Sequence, residues 1–319
     1  MLVDGKWVEN WQPVQATDAK GGFVRQDSGF RAWVTPDGAA GPTGVGGFKA
    51  GPGRYQLYVA LICPWASRAL IARKLKKLDE VISVSVVEPA LTDQGWRFGD
   101  YPGADRDALN GATYMHEIYT KADPHYTGRA TVPVLWDKQL KTIVNNESAD
   151  IVRMLNSGFG ALADDAFDFY PQALRAEIDA LNDAIYPALN NGVYRAGFAT
   201  TQGAYEEAYS DVFATLDSLE ARLAGGGPFL FGKTLVETDI RLFVTLIRFD
   251  AAYHGLFKCN KRQIADYPAL SAHLQTMLGL PGLRETVSID HIKRGYYSIK
   301  TLNPLGITPV GPDLSPLGL

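Results

Sequence analysis

The residue best suited to chemistry in this sequence is Cys63. It opens the run 63–66 (Cys-Pro-Trp-Ala), which follows an apolar stretch at 55–62 and precedes a helical pattern over 67–78. A cysteine between a strand and a helix lies beside unpaired backbone N–H groups and the positive end of the helix dipole. Both favour the thiolate and can lower the pKa of a thiol from about 8.5 to roughly 3.5–7.5. Pro64 suits the first helical turn, where an N–H is not needed. The pattern predicts a nucleophilic thiolate.

Two further local patterns indicate a peptide-binding site. Pro133 opens an apolar run at 132–136, and a proline there marks an edge strand or a special peptide bond. A cis bond after Val132 would turn its backbone groups outward to pair with an extended peptide, but the sequence leaves cis and trans open. Glu147 and Ser148 begin a helical pattern. The Ser148 N–H and hydroxyl could hold a carboxylate at that helix N-terminus, and Glu147 could pair with an ammonium group.

Each of these patterns also has a purely structural interpretation. Cys63 could be a buried core thiol, because free cysteines are often buried, and we interpret Cys259 in that way. Pro133 could be an ordinary trans proline at a sheet edge. The pair 147–148 could be only a helix cap. The agreement of the three signals favours a site.

Composition indicates an ordinary soluble globular protein. The chain has 319 residues, 46% of them hydrophobic and 21% charged, with a net charge of −4. No apolar run reaches membrane-spanning length, and the N-terminal residues lack the apolar core of a signal peptide. Residues 74–77 hold the densest basic run, which we interpret as the solvent face of a helix, so nucleic-acid binding is not expected.

The two cysteines and five histidines argue against a disulfide scaffold and against a metal centre. Two cysteines in a chain of this length do not form a disulfide framework, and a reducing cytoplasm fits best. The histidines are scattered, and no Cys/His cluster has the spacing of metal ligands.

The pattern of elements predicts an α/β domain followed by an all-helical domain. We expect 1–54 to be an irregular extension that packs on the body, because its turn-forming residues alternate with aromatic ones. Residues 55–156 show the order β-α-β-insert-β-β-α of a thioredoxin-like domain, and we expect a short helix at 113–121 within the insert. Residues 157–319 show helical patterns and end in a Pro/Gly-rich tail. The aromatic residues of the extension are Trp7, Trp11, Phe23, Phe30 and Trp33.

The helical domain shows its strongest patterns at 171–185, 205–223, 238–254 and 266–277. One of them lacks a usual start signal. Position 236, three residues before Asp239, is Val rather than the Ser or Thr of a capping box. We therefore expect the side-chain cap bond to be absent there, at a cost of about 1 kcal/mol.

The motifs together resemble a known family. The loop 143–148 (Ile-Val-Asn-Asn-Glu-Ser) resembles the one that holds the γ-glutamyl end of glutathione in glutathione transferases. A closer resemblance, over roughly the whole chain, is to the glutathionyl-hydroquinone reductases, the xi class. It is carried by the runs 63–66, 95–98 (Gly-Trp-Arg-Phe), 190–199 (Asn-Asn-Gly-Val-Tyr-Arg-Ala-Gly-Phe-Ala), 257–260 (Phe-Lys-Cys-Asn) and 291–297 (His-Ile-Lys-Arg-Gly-Tyr-Tyr).

The resemblance implies a role for each matching residue. Cys63 matches the nucleophile, and Tyr194 matches the residue that transfers a proton. Tyr253 and Tyr296 match the tyrosines that stabilise the thiolate, although Tyr297 is an alternative to Tyr296. The matches to the glutathione contacts are Trp96, Arg129, Val132, Glu147 and Ser148. The implied co-substrate is glutathione, without a metal, and the implied assembly is a homodimer through the C-terminal domain.

The chemistry of a single thiolate accounts for this activity. Cys63 attacks the glutathione sulfur of an aryl thioether and forms a mixed disulfide, and a second glutathione resolves it. Because position 66 is alanine, no neighbouring cysteine can close an internal disulfide. Two alternatives stay open at this stage. One is an omega-like thioltransferase or dehydroascorbate reductase, which would use the same cysteine on another oxidant. The other is a non-catalytic adaptor with the glutathione transferase fold.

Overall fold

The computed structural model describes residues 1–8 and 17–318, so Trp11 of the predicted extension lies outside the described residues. The chain divides into two compact units. Of the described residues, the first unit holds 1–8, Gln26–Phe167 and Thr286–His291, and the second holds 17–25, Asp168–Glu285 and 292–318. The segment 1–54, expected to be one extension, thus contributes to both units.

Strands and helices of the described chain are as follows. The strands are β1 (Leu2–Val3), β2 (Lys6–Trp7), β3 (Trp33–Thr35), β4 (Gly47–Lys49), β5 (Tyr55–Val59), β6 (Ile82–Val86), β7 (Val134–Asp137) and β8 (Thr142–Asn145). The helices are α1 (Pro64–Leu75), α2 (Met115–Ala122), α3 (Ser148–Arg153), α4 (Arg175–Ile185), α5 (Gly192–Gly197), α6 (Gln202–Gly226), α7 (Glu237–Arg248), α8 (Pro268–Leu278) and α9 (Ile289–Tyr297).

A four-stranded mixed sheet with the order β6-β5-β7-β8 organises the first unit. β5 pairs in parallel with β6 and antiparallel with β7, which in turn pairs antiparallel with β8. All five residues of β5 are buried, as expected for a central strand covered on both faces. The order β5-α1-β6-α2-β7-β8-α3 confirms the predicted thioredoxin-like arrangement, and α2 accounts for the short helix predicted in the insertion.

Helix α1 begins at Pro64, as its suitability for the first helical turn predicts, three residues before the apolar pattern starts at 67. The proline occupies the first helical position, where its fixed φ is already helical. Cys63 is therefore the N-cap of α1, with extended backbone angles (φ −76°, ψ 118°). Residues 60–62 form a turn between β5 and Cys63, in which the Cys63 N–H donates to the Ala60 carbonyl at 2.9 Å, and α1 follows the cysteine directly.

Short pairings tie the N-terminal residues of the first unit to its body. β1 and β2 form a hairpin, and Leu2 exchanges two backbone hydrogen bonds with Gly128, at 2.9 and 3.0 Å. β3 pairs in parallel with β4. Trp33 and Val34 of β3 are buried, which agrees with the expectation that aromatic residues in this irregular segment pack rather than remain in solvent.

Helices build the second unit. α7 is buried along almost its whole length and continues into a π-helical turn at Phe249–Tyr253, so the predicted helix over 238–254 is realised as two joined pieces. The pattern over 205–223 becomes the longer helix α6. Neither α5 nor α9 is predicted from the sequence. α5 contains two glycines in six residues, which weakens any helical signal.

The start of α7 keeps half of its capping box. Val236 is the N-cap and its side chain makes no cap bond, as the sequence predicts. The reciprocal bond is present, because Val236 N–H donates to Asp239 Oδ2 at 2.9 Å. Leu230 N–H donates to the other oxygen, Oδ1, at 2.8 Å. The buried Asp239 carboxylate therefore joins the helix start to the loop before it.

Candidate active site

Cys63 is a partly exposed thiol at the start of α1. Its carbonyl accepts the Ser67 N–H at 3.0 Å, the first hydrogen bond of the helix. Its Sγ donates to the Val132 carbonyl at 3.5 Å. The alternative of a sealed core thiol does not describe this position, whereas Cys259 is fully buried and burial raises the pKa of its thiol to about 12.

The backbone of the residues just before β7 lies next to the Cys63 thiol. The Val132–Pro133 peptide bond is cis, which answers the question that the sequence left open. The side chain of Val132 is buried, and its carbonyl is the acceptor for Cys63. The preceding residue is held as well, since Tyr119 Oη donates to the Thr131 carbonyl at 2.9 Å. Cys63 and Val132 are thus two predicted site residues that the structure brings together.

Glu147 and Ser148 form a second pair, at the start of α3. Glu147 is the N-cap, and its Oε1 accepts the Ala149 N–H at 3.1 Å. Ser148 is buried and its hydroxyl lies 3.4 Å from the same oxygen. The predicted cap is therefore real, but it uses only one of the two carboxylate oxygens of Glu147 for the helix itself.

The other oxygen of Glu147 has a partner that sequence reasoning missed. Ser28 Oγ donates to Glu147 Oε2 at 2.9 Å. Nearby, Arg31 and Asp150 form an ion pair, with Nε 2.5 Å from Oδ2. Asn145 Nδ2 also donates to that Asp150 oxygen at 3.1 Å. Ser28 and Arg31 therefore support the junction between β8 and α3 across more than a hundred residues of sequence, a separation at which local patterns carry no signal.

Trp96 and Arg129 lie on two other loops of the first unit. Trp96 is half-buried and follows a tight turn in which Thr92 and Gly95 exchange backbone hydrogen bonds of 3.0 Å. Gly95 has φ +79°, which favours glycine at that position. Arg129 is half-buried, and its carbonyl accepts from Tyr126 Oη at 3.1 Å. Each of the two residues lies on a loop that hydrogen bonds support.

The three predicted tyrosines form a hydrogen-bonded cluster in the second unit. Tyr194 lies on α5, Tyr253 ends the π-helical turn after α7, and Tyr296 lies on α9. Tyr296 Oη is 2.5 Å from Tyr194 Oη and 2.8 Å from Tyr253 Oη. Tyr296, rather than Tyr297, is therefore the member of the pair whose hydroxyl joins the other two.

The phenols of this cluster differ in their surroundings. Tyr253 and Tyr296 are almost completely buried, and burial raises the pKa of each hydroxyl well above 10, with the neighbouring Tyr194 adding to the effect. Both remain protonated at neutral pH and can act as hydrogen-bond donors. Tyr194 is only half-buried. Phe257 packs against all three rings, with centroid distances of 5.2–5.5 Å.

Glycine at position 197 follows from this packing. A Cβ at Gly197 would lie 2.4 Å from the Phe257 ring, so only glycine allows α5 to approach it. The glycine in the 190–199 motif thus has a direct structural reason.

Metal-binding groups and membrane-spanning helices were sought in the described residues, 1–8 and 17–318. Among them, no group of three or more His, Cys, Asp or Glu side chains could hold a metal ion. None of the helices found there combines the length and the apolar character needed to cross a membrane.

Comparison with known proteins gives matches along the whole chain. The model of the glutathione S-transferase N-terminal domain matches residues 62–157, and that of the C-terminal domain matches residues 202–276. The chain is 52% identical to glutathionyl-hydroquinone reductase YqjG of Escherichia coli over 313 residues, which is 98% of this chain and 94% of that protein. It is 49% identical to glutathionyl-hydroquinone reductase PcpF of Sphingobium chlorophenolicum over 315 residues, covering 98% and 96% of the two chains.

Solved structures give the same result. The glutathione-bound structure of Escherichia coli YqjG superposes with a TM-score of 0.90 at 50% identity, covering 98% of this chain and 95% of that one. The glutathione S-transferase Xi of Phanerochaete chrysosporium superposes with a TM-score of 0.88 at 46% identity, covering 94% and 95%.

Proposed function

The chain belongs to the glutathionyl-hydroquinone reductases, the xi class of glutathione transferases, and we propose that it reduces glutathionyl-hydroquinones to hydroquinones at the expense of glutathione. The observation that carries this proposal is the partly exposed Cys63 thiol at the N-terminus of α1. Thioether cleavage needs a sulfur nucleophile, and a thiol in this position is the kind that proteins activate.

Glutathione is the co-substrate, and the first unit offers the groups to bind it. We assign its γ-glutamyl end to the pair at the start of α3, the ammonium to Glu147 and the carboxylate to Ser148. The extended peptide pairs with the backbone of Val132. Trp96 and Arg129 complete the proposed contacts by their match to the family motifs. Ser28 supports the assignment, because its hydrogen bond orients the Glu147 carboxylate.

The first half-reaction breaks a carbon–sulfur bond. The Cys63 thiolate attacks the glutathione sulfur, and a disulfide forms between Cys63 and glutathione. The electron pair of the broken bond goes to the aromatic carbon, which takes a proton and leaves as part of the hydroquinone. We assign that proton to Tyr194, the least buried phenol of its cluster. Tyr253 and Tyr296 are the proposed stabilisers of the thiolate, since both remain protonated donors.

The second half-reaction regenerates the thiol. A glutathione thiolate attacks the mixed disulfide, so that glutathione disulfide leaves and Cys63 becomes a thiolate again. An external thiol is required because Ala66 replaces a resolving cysteine. Cys259 is fully buried with a raised thiol pKa, which makes it a poor nucleophile. The overall reaction consumes one glutathionyl-hydroquinone and one glutathione, and it releases one hydroquinone and one glutathione disulfide.

A steady-state assay with a panel of glutathionyl-hydroquinones tests the proposal. We expect turnover by the wild type and by Cys259→Ala, and none by Cys63→Ala at equal folding by circular dichroism. Incubation with glutathione disulfide followed by mass spectrometry should place one glutathione on Cys63. Turnover by Cys63→Ala would refute the thiolate mechanism. Reduction of dehydroascorbate without activity on the panel would favour the omega-like alternative, and failure to form any adduct would favour an adaptor.

The role of Tyr194 has its own test. We expect Tyr194→Phe to slow release of the hydroquinone more than resolution of the mixed disulfide, because only the first half-reaction needs a proton on carbon. Rapid mixing with substrate, and separately of the preformed mixed disulfide with glutathione, measures the two rates. Equal slowing of both would argue against proton donation by this phenol.

Two further proposals, on the assembly and on the cellular location, follow from membership of the family. We propose a homodimer through the C-terminal domain, which light scattering coupled to size exclusion would test by the mass in solution. We also propose a cytoplasmic location, since resolution by glutathione requires a reducing thiol pool. Fractionation of the source cells would test it.

A further inference from the structure

A short folded segment at residues 17–25, here called the N-terminal hook, belongs to the second unit. The carboxylate of Asp18 accepts the N–H groups of Lys20 and Gly22, at 2.8 and 2.9 Å. Asp18 N–H also donates to the Gly22 carbonyl at 2.9 Å. Gly21 has φ +83°, which suits glycine within this turn. The hook thus has internal hydrogen bonds that define its shape.

Hydrogen bonds and a ring contact hold the hook beside α5 and the start of α6. Thr200 N–H donates to the Gly21 carbonyl at 3.1 Å, and Thr201 Oγ1 donates to the Lys20 carbonyl at 2.7 Å. Phe23 packs on Phe198, with ring centroids 5.7 Å apart. These contacts fix the position of the residue that ends the hook, Arg25.

Arg25 lies over the ring of Tyr194. Its Cζ is 5.1 Å from the centroid of that ring and 5.3 Å from that of Phe23. Its Nε donates to Asn191 Oδ1 at 3.0 Å, which orients the guanidinium. A cation within about 6 Å of an aromatic centroid is attracted to the π-face. Asn191 and Tyr194 both belong to the 190–199 motif.

We propose that Arg25 is a positioning residue for proton donation by Tyr194, an inference that rests on the proposed function. As the phenol loses its proton, negative charge spreads into the ring, and a cation over the ring face attracts it more strongly than the neutral phenol. The guanidinium therefore stabilises Tyr194 in the transition state of hydroquinone release. In addition, its hydrogen bond to Asn191 and its position over the ring restrict the orientation of Tyr194.

The two phenols hydrogen-bonded in the Tyr194 cluster do not supply this charge. Tyr296 and Tyr253 present hydroxyls that burial keeps neutral. Arg248 is buried and lowers the pKa of those two phenols, so its charge acts on them. Arg25, in contrast, places its positive charge over the ring of Tyr194 itself.

Rates of the two half-reactions in Arg25→Met and Arg25→Lys test the proposal. We expect Arg25→Met to slow hydroquinone release about 3- to 30-fold and to leave resolution by glutathione within about twofold. Its pH profile for hydroquinone release should show the basic limb, where Tyr194 has lost its proton, moved to higher pH. Arg25→Lys keeps the charge without the planar fork and should recover part of the rate. Equal slowing of both half-reactions with an unmoved pH profile would overturn the proposal.

The Tyr194→Phe background separates this inference from the proposed function. There, Arg25→Met should have no further effect on hydroquinone release, because the group on which it acts is absent. An additional loss there would indicate a structural role and overturn the inference. If Tyr194→Phe slows release and Arg25→Met does not, only the inference fails; if Cys63 forms no glutathione adduct, the proposed function fails.

A variant of Asn191, the hydrogen-bond partner of Arg25, keeps the proposal testable if Arg25→Met does not fold. Asn191→Leu removes the acceptor that orients the guanidinium while leaving its charge in place. We expect a smaller slowing, confined to hydroquinone release. No change in that rate would count against the proposal.

Discussion

The N-termini of α1 and α7 have the same electrostatic character and are used in opposite ways. At α1 the N-cap is Cys63, whose side chain makes no capping bond with the described residues and is partly exposed. The first turn of α1 carries no acidic residue. At α7 the buried carboxylate of Asp239 accepts the Val236 and Leu230 N–H groups. A helix N-terminus can stabilise a thiolate where no carboxylate accepts its N–H groups. Where a buried carboxylate accepts them, the helix N-terminus is part of the protein core instead.

The largest expected effect is that substitution of Cys63 lowers activity, whereas substitution of Asp239 lowers stability. Cys63→Ser should lower kcat/KM by a factor on the order of 10³ or more, with the free energy of unfolding changed by less than about 0.5 kcal/mol. Asp239→Asn should lower the free energy of unfolding and leave kcat of the folded protein within about twofold. Turnover assays and urea denaturation of both variants measure this. A stable Asp239→Asn protein without activity would break the comparison.

Removal of the Asp239 carboxylate should be strongly destabilising. Asp239→Ala leaves the Leu230 and Val236 N–H groups buried without an acceptor, and we expect the free energy of unfolding to fall by about 2–4 kcal/mol. Glu207 is a suitable control, because it is an exposed carboxylate that pairs with Arg195. Glu207→Ala should cost less than about 1 kcal/mol. If urea denaturation showed similar losses of stability in the two variants, the buried Asp239 carboxylate would have no special role at the N-terminus of α7.

The same carboxylate should make stability depend on pH. Burial raises the pKa of Asp239 to about 7 from an ordinary value of 3.8. Between these values the folded chain holds a proton that the unfolded chain releases, so the free energy of unfolding falls as pH rises, by at most about 1.4 kcal/mol per pH unit. His273, whose pKa burial lowers, acts in the opposite sense below about pH 6.5.

Comparison with Asp239→Asn isolates the contribution of Asp239 to this pH dependence. The stability difference between the wild type and Asp239→Asn should shrink from about pH 4 to pH 7 and then stay constant. Urea denaturation at a series of pH values measures it. A constant difference over the whole range would show that the carboxylate is ionised throughout.

Completing the capping box should have the smallest effect. Val236→Thr places a hydroxyl at the N-cap, where it can accept a backbone N–H of the first turn of α7. We expect the free energy of unfolding to rise by about 0.5–1 kcal/mol without a change in kcat. A loss of stability would mean that the packing of the buried Val236 side chain outweighs the missing cap.

Much of the fold could be predicted because its signals are local. The β-branched strands, the hairpin at 132–144 and the helical periodicities are read from neighbouring residues, and the structure confirms the thioredoxin-like order and the long helices. The positions of Cys63 and Glu147 as N-caps also follow from local patterns. The helix α5 was missed because two of its six residues are glycines, whereas α9, with nine residues, was missed although it is longer than the predicted α2.

The sequence by itself determined where a thiol meets a helix N-terminus, since Cys63 directly precedes Pro64 and the helix that begins there. Only the tertiary structure decided what surrounds the predicted residues. It brings Val132 to Cys63, Ser28 to Glu147 and Arg25 to Tyr194, and it selects Tyr296 over Tyr297. These contacts join residues 69 to 169 positions apart, and packing of distant segments, which no local propensity encodes, sets them.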